Sequence, residues 1–338
     1  MRRAGPLIAA ALAATLAVPV LLGGRDALWQ ALGFSTQGYL ALLAVIAVSW
    51  FARAIKVRML LQRLGVAARF WPVFLISLAT DFAFISTPGG VGGYAASMFY
   101  MRRAGATTSG AATVTAADQL LDWAFFAIAL PIAGLALIRS DVPAALAWLA
   151  FGSSALMLAL GAAALIAHRK LGAWLFSDNV FMRRWPRLKR RQRLVREFFH
   201  SLQIHASVLL AGGPGFLGGV MLMSAVQWLG RYGVLWIALT LLGHHVSFAL
   251  TLLLQALVLH AAMWTGVPSG GGGAELGLTA TLAAWVPATS LATALLLWRV
   301  ATLYICLIVG ALAMGALAHR RVLAHATRSE SEPLERGL

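Results

Sequence analysis

Four acidic side chains lie within long apolar runs or directly after a break in one. They are Asp81, Asp118, Asp122 and Glu275. An ionised side chain at the centre of a bilayer costs about 2.5–3.5 kcal/mol even on the lenient insertion scale, so such groups face protein or water and usually have partners. The apolar runs also contain basic residues, and we expect Arg231 and Arg299 to pair with the acids.

The spacing of Asp118 and Asp122 places both carboxylates on one face of a helix. One interpretation is a structural ion-pair network that holds helices together. The other is a polar track for a lipid head group, in which arginines bind phosphate through their planar guanidinium groups. Glu275 follows a glycine cluster, where it either caps the amides of a new helix or acts as a ligand or proton carrier. The predicted substrate-binding residues are Asp118, Asp122, Arg231, Glu275 and Arg299.

The composition predicts a membrane protein. Of the 338 residues, 60% are hydrophobic and 11% are charged, whereas a soluble domain carries about 25% charged residues. The net charge of +16 comes from basic residues in short loops between apolar runs, which is the pattern of cytoplasmic loops beside an anionic leaflet rather than of a nucleic-acid partner. No metal or cofactor motif is present, and no nucleophile and base arrangement indicates an enzyme.

The apolar runs predict an all-α, polytopic transmembrane bundle with about eight hydrophobic helices. The helices are expected at about 5–23, 38–54, 71–87, 110–138, 144–167, 216–241, 246–266 and 287–318. A basic segment at 168–215 is predicted to form a cytoplasmic elbow on the leaflet surface. Residues 1–318 form one transmembrane domain in this interpretation, and 319–338 form a cytoplasmic tail.

Two glycine-rich breaks, 180 residues apart, interrupt the apolar sequence. The predicted break residues are Pro88, Gly89, Gly90, Gly92, Gly93, Pro268, Gly270, Gly271, Gly272 and Gly273. Lipid offers no hydrogen bonds to the backbone, so broken helices occur only where protein or a water-filled cavity covers them. Matching breaks in two halves of a chain are the best sequence pointer to a transport site. The alternative is that these glycines only permit close helix packing.

The basic residues of the loops predict the direction of each helix. Both termini and the loop after the second helix are expected in the cytoplasm, and the residues that place this loop there are Arg53, Lys56, Arg58, Arg63 and Arg69. With these constraints the chain must turn back at both breaks, once facing inward and once outward. The prediction is therefore an inverted repeat of two re-entrant hairpins, with one repeat over about 38–138 and the other over about 216–318.

At these motifs the chain resembles the family of the lysylphosphatidylglycerol synthase transmembrane region, which is also called flippase-like. The resemblance covers about 40–318, and its motifs are the two Pro-Gly segments, Arg102-Arg103-Ala104-Gly105, Leu120-Leu121-Asp122 and Trp298-Arg299. The chain departs from the family where it has Tyr94, Ser97 and Gln119, so the first half-site has lost charge. Glu275 and Arg299 keep the second half-site intact.

The resemblance implies a lipid transporter of a bacterial inner membrane, with membrane lipids as partners and without the synthase activity. A related branch of single-domain members occurs in hopanoid-producing bacteria, which implies a polar, phospho- or hopanoid-related lipid. Two alternatives stay open. One is a secondary transporter of an ion or small solute, and the other is a non-transporting accessory subunit whose partner is a lipid-synthesis enzyme. The oligomeric state does not follow from the sequence.

Overall fold

The computed structural model describes residues 4–140, 142–176 and 186–319, and within these ranges the chain is helical and contains no strand. The helices are α1 Ala4–Leu32, α2 Thr36–Arg63, α3 Phe70–Ser86, α4 Val91–Arg103, α5 Thr108–Ile138, α6 Ala144–Phe176, α7 Pro186–Leu210, α8 Gly213–Leu241, α9 Phe248–Trp264, α10 Gly273–Leu282 and α11 Ala288–His319. Residues Val300–Tyr304 of α11 form a π-helical segment. The predicted tail lies outside the described residues except for His319.

The predicted bundle of apolar helices is confirmed. Five helices are long and apolar enough to cross a membrane, namely α1, α2, α5, α6 and α11, and α8 together with the end of α7 makes a sixth bent by 96°. The apolar helices α3 and α9 have 17 residues each, which at 1.5 Å per residue is about 26 Å, less than the thickness of a hydrocarbon core of about 30 Å. Both short helices end at a glycine-rich break.

The helices from α2 to α5 repeat as α8 to α11. Each unit has a long helix, a helix of 17 residues, a short helix and a second long helix. A 3₁₀ turn precedes the short helix in each unit, at Pro88–Gly90 and at Pro268–Gly270. The corresponding residues of the turns share a left-handed backbone, with φ of 58° at Gly89 and 55° at Ser269. The internal repeat predicted from the two breaks is therefore present in the backbone, and the opposite orientation of its halves in a membrane stays a prediction.

The chain turns back at each break, because the short helix packs on the helix that precedes it. The helix α4 contacts α3, and α10 contacts α9. A glycine makes each approach close. A side chain at Gly93 would collide with the ring of Phe84, and a Cβ at Gly277 would lie 2.7 Å from a methyl group of Val258. These glycines therefore serve helix packing, while the left-handed residues of the turns change the chain direction.

The two repeats are held together where their first helices, α2 and α8, pack on each other. A Cβ at Gly230 would lie 3.2 Å from the carbonyl oxygen of Val45 and 3.4 Å from the Cβ of Ser49. Such close contact between small residues is typical of helix pairs in membranes. The α2–α8 contact places the middle of each long helix beside the other repeat.

Helix ends differ from the prediction in three places. The helix α6 continues to Phe176, nine residues past its predicted end at 167, so the start of the segment predicted as an elbow is part of this helix. The segment 25–32 continues α1 beyond a kink at Gly24 instead of forming a loop, because Ala27 and Ala31 lie one turn apart and are both buried. The helix α2 continues nine residues past the predicted end at 54, to Arg63. The extension of α2 changes the chemistry of the interior.

Candidate functional site

Two basic side chains on α2 form the centre of a buried ionic network. The guanidinium of Arg53 pairs with Asp81 on α3 and lies 3.3 Å from Asp118 on α5. Lys56, one turn further along, is completely buried, and its Nζ lies 2.7 Å from a carboxylate oxygen of both Asp118 and Asp122. The ammonium between the two carboxylates offsets the repulsion expected from their spacing of four residues.

The network reaches the second repeat through a hydroxyl group. Ser224 on α8 donates a hydrogen bond of 2.7 Å to Asp122 and accepts one of 3.3 Å from Lys56. Arg231 and Arg299 were expected to pair with the buried acids, and they do pair with Asp81 and Glu275. The expectation is wrong for Asp122, whose partner is Lys56. Arg53 and Lys56 were counted as charges of a cytoplasmic loop, but both side chains are buried, and α2 includes Lys56 because it continues to Arg63.

Arg231 on α8 binds the same acid as Arg53. Its guanidinium lies 3.6 Å from Asp81, and its side chain keeps 24% of its surface exposed. Asp81 thus lies between two arginines, one from each repeat. Arg231 makes the longest ion pair of the described network and is the most exposed of the basic side chains in it.

Glu275 and Arg299 form a separate pair within the second repeat. Glu275, in the first turn of α10, is completely buried and accepts a hydrogen bond from Nε of Arg299 on α11. The guanidinium of Arg299 also lies 3.5 Å from the carbonyl oxygen of Ser269 in the second 3₁₀ turn and 4.3 Å from the ring centre of Trp298. The π-helical segment begins at the next residue, as such segments often do at functional sites.

A cavity of about 320 Å³ lies where the two repeats meet. Both 3₁₀ turns line it, through Gly89 and Gly90 on one side and Ser269 and Gly270 on the other, and the two turns contact each other. Its volume falls at the lower end of the range of ligand pockets, about 300–1,000 Å³. The cavity is therefore large enough for a head group and too small for a whole lipid.

The cavity wall combines charged groups, amides and aromatic rings. Its ionisable side chains are Arg53, Asp81, Asp122, Arg231, His260 and Arg299, and its amide side chains are Gln119, Gln227 and Gln255. His260 is held by a hydrogen bond of 2.6 Å between its Nδ1 and the carbonyl oxygen of Ala256. The aromatic part of the wall consists of Phe84, Tyr94, Trp123, Phe126, Trp228, Tyr232 and Trp298.

The cavity reaches the outer surface of the bundle beside α5. Trp123 lines the cavity and is 43% exposed, at the edge of an exposed apolar face that includes Leu120 and Ile132. Tyr94 and Met263 also line the cavity and are exposed. The cavity therefore opens beside the exposed apolar side of α5.

The predicted site residues lie in two positions relative to the cavity. Asp122, Arg231 and Arg299 line the cavity, whereas Asp118 and Glu275 lie behind it as partners of Lys56 and Arg299. Of the predicted break residues, Gly89, Gly90 and Gly270 line the cavity. The others, Pro88, Gly92, Gly93, Pro268, Gly271, Gly272 and Gly273, form the turns and the starts of the short helices.

Sequence reasoning missed Arg53, Lys56 and the glutamines Gln227 and Gln255. A signal for the basic pair exists, because the spacing of three residues in an otherwise apolar helix places both on the face that meets the acids. No comparable signal exists for the glutamines. Among the described residues, no group of three or more His, Cys, Asp or Glu side chains is arranged to hold a metal ion.

Comparison with known proteins agrees with the geometry. A family model described as the lysylphosphatidylglycerol synthase TM region matches residues 6–310. A search of curated proteins finds no match for the chain. The matched region contains the first repeat, the second repeat as far as residue 310, both breaks and every residue that lines the cavity.

Proposed function

Because the chain belongs to the family of the lysylphosphatidylglycerol synthase transmembrane region, we propose that it is a lipid transporter in which the central cavity carries a polar head group between the leaflets. The family itself suggests a membrane protein related to lipids, and the apolar helices suggest a multi-pass protein. A bacterial inner membrane, cytoplasmic termini and the absence of enzymatic activity are parts of the same proposal.

The observation that carries the proposal is the single cavity lined by both breaks. Each repeat contributes one 3₁₀ turn and at least one arginine to its wall. In transporters built from inverted repeats, the substrate site lies between the repeats at their broken helices, and one repeat rocks against the other around it. Within the cavity, the head group exchanges its water shell for polar side chains, which lowers the cost of moving it through hydrocarbon.

The sideways opening favours a lipid over an ion or a small solute. A solute that enters from water needs a vestibule closed to lipid. A lipid needs a gap through which the head group enters while the acyl chains stay outside, and the position of Trp123 on the exposed apolar side of α5 supports such a gap. The accessory-subunit alternative differs in another respect, because it requires a second protein for any change in lipid distribution.

The proposal is tested with the purified protein in liposomes that contain fluorescent lipids with different head groups. An impermeant reagent that destroys fluorescence in the outer leaflet measures the rate of exchange. We expect the protein alone to accelerate the exchange of at least one lipid. The Arg231→Gln variant should lower that rate about fivefold or more, the equivalent of one hydrogen bond of about 1 kcal/mol, because it removes guanidinium donors from the cavity wall and leaves Asp81 with Arg53 alone. Exchange that never exceeds the rate of empty liposomes, or appears only with a lipid-synthesis enzyme, refutes the proposal.

A matched control separates the loss of the cavity charge from a general effect of losing an arginine. Arg139 follows the end of α5, is exposed and does not line the cavity. The Arg139→Gln variant should transport lipid at the parent rate. Equal rates for Arg231→Gln, Arg139→Gln and the parent protein would contradict the assignment of the cavity as the transport site.

A further inference from the structure

We infer that the cavity takes an uncharged, hydroxyl-rich head group, such as a sugar or polyol, rather than an anionic phosphate head group. This inference rests on the proposed function and specifies its substrate class. Three observations support it, namely the balance of buried charge, the unpaired polar atoms in the wall and the aromatic rings beside them.

The charges around the cavity are already paired. The described network contains four basic side chains, Arg53, Lys56, Arg231 and Arg299, and four acidic ones, Asp81, Asp118, Asp122 and Glu275. Each base has an acid within 4 Å, so the described network holds no excess of positive charge to balance a phosphate. A phosphate bound here would add a buried negative charge without compensation, which is strongly unfavourable. An uncharged head group adds no charge to the network.

Several polar atoms of the wall lack a partner in the structure. They include two acceptors, Oε1 of Gln227 and of Gln255, two donors, Nε1 of Trp228 and Nη2 of Arg299, and the hydroxyl of Ser269. The orientation of Gln255 is fixed, because its amide nitrogen donates to the carbonyl oxygens of Tyr232 and Thr251. A buried polar atom without a hydrogen bond is costly, so these atoms require water or a ligand.

The mixture of unpaired donors and acceptors matches hydroxyl groups. A hydroxyl both donates and accepts, so a sugar or polyol can satisfy the glutamine oxygens as well as the indole and guanidinium donors. An ionised phosphate only accepts and would leave the fixed oxygen of Gln255 unpaired. The rings of Trp123 and Trp228 provide apolar surface for the C–H faces of a sugar ring, whose outward hydroxyls then reach the amides.

The test compares two lipids that one reagent detects equally. Glucosyl diacylglycerol and phosphatidylglycerol both carry neighbouring hydroxyls, so impermeant periodate oxidises either head group in the outer leaflet of protein-containing liposomes. We expect the glucosyl lipid to exchange at least tenfold faster than phosphatidylglycerol. Exchange of phosphatidylglycerol at an equal or higher rate overturns the inference and leaves the proposed transport function standing.

A binding measurement separates failure of the inference from failure of the transport function. Hexyl glucoside and dihexanoyl phosphatidylglycerol are titrated into the solubilised protein, below their micelle-forming concentrations, by isothermal calorimetry. Tighter binding of the glucoside without exchange of either lipid supports the substrate class and refutes transport. Equal binding, or tighter binding of the anionic lipid, overturns the substrate class.

Substitutions of the two glutamines test whether they cause the preference for the glucosyl lipid. Gln227→Leu should slow exchange of the glucosyl lipid about five- to tenfold, the equivalent of one hydrogen bond of about 1–1.4 kcal/mol, and so lower the preference for the glucosyl lipid over phosphatidylglycerol. Gln255→Leu should act in the same direction, and Gln227 is the more reliable test because Gln255 also binds the backbone of Tyr232. The control Gln37→Leu changes an exposed glutamine of α2. A glucosyl preference equal in Gln227→Leu and Gln37→Leu overturns the assignment.

Discussion

Replacing Lys56 by methionine tests whether the buried network stabilises the fold. Methionine has a similar length but no charge, so Asp118 and Asp122 lose the ammonium that lies 2.7 Å from each. Lys56 is completely buried and water cannot replace it. Because removal of one partner from a buried ion pair typically costs about 3–5 kcal/mol, we expect Lys56→Met to lower the free energy of unfolding by that amount.

Second substitutions distinguish the loss of charge from the loss of packing. Adding Asp122→Asn to Lys56→Met removes one of the orphaned carboxylates and leaves Asp118 beside Arg53, at 3.3 Å. The double variant should therefore be more stable than Lys56→Met alone, although it carries one more substitution. Ser224→Ala keeps both charges and loses the hydroxyl between them, so we expect a smaller loss of about 1.5–3 kcal/mol.

The assay is equilibrium unfolding in mixed micelles, followed by far-ultraviolet circular dichroism, with Arg139→Met as an exposed control. Two results would refute the reasoning. In one, Lys56→Met lies within about 1 kcal/mol of the control, well below the cost of an orphaned buried pair. In the other, the effects of Lys56→Met and Asp122→Asn simply add, which would show that the two residues are not coupled.

Two further predictions concern the breaks. Ser269→Gly removes both the cost of a left-handed backbone at φ 55° and an unpaired hydroxyl. It should therefore raise the free energy of unfolding by about 1 kcal/mol and slow lipid exchange in liposomes. Faster exchange would contradict the role of this hydroxyl. Gly93→Ala forces a methyl group into the ring of Phe84 and should cost about 1–3 kcal/mol, whereas Gly152→Ala, which meets open space in α6, should be neutral or stabilising in the same unfolding assay.

The sequence was sufficient for the scaffold because the scaffold depends on local signals. Long apolar runs predict the helices, and glycine beside proline within such a run predicts the two turns. Ser35, Thr107 and Ser247 supply the side-chain caps at the starts of α2, α5 and α9. Each of these signals acts over a few residues, so one sequence contains enough information to recognise it.

The partners within the site were less accessible, because they depend on where one helix ends. A basic residue near the end of an apolar run is usually a loop charge beside the membrane surface, and this rule misplaced Arg53 and Lys56. A simple argument of charge balance corrects it. Four acids buried in an apolar bundle need about as many bases, and Arg231 and Arg299 supply only two. Gln227 and Gln255 are uncharged, so an argument from charge balance does not find them and only the structure identifies them.

The two repeats have the same order of helices and turns, but their charged side chains differ. Arg53 on α2 and Arg231 on α8 both bind Asp81, which exists only in the first repeat. Arg299 of the second repeat corresponds to the uncharged Gln119 in the first. An acid therefore precedes the break in one repeat and follows it, as Glu275, in the other. Because the halves of the site bind through different groups, equivalent substitutions in the two repeats should not have equivalent effects, and each half requires its own variants.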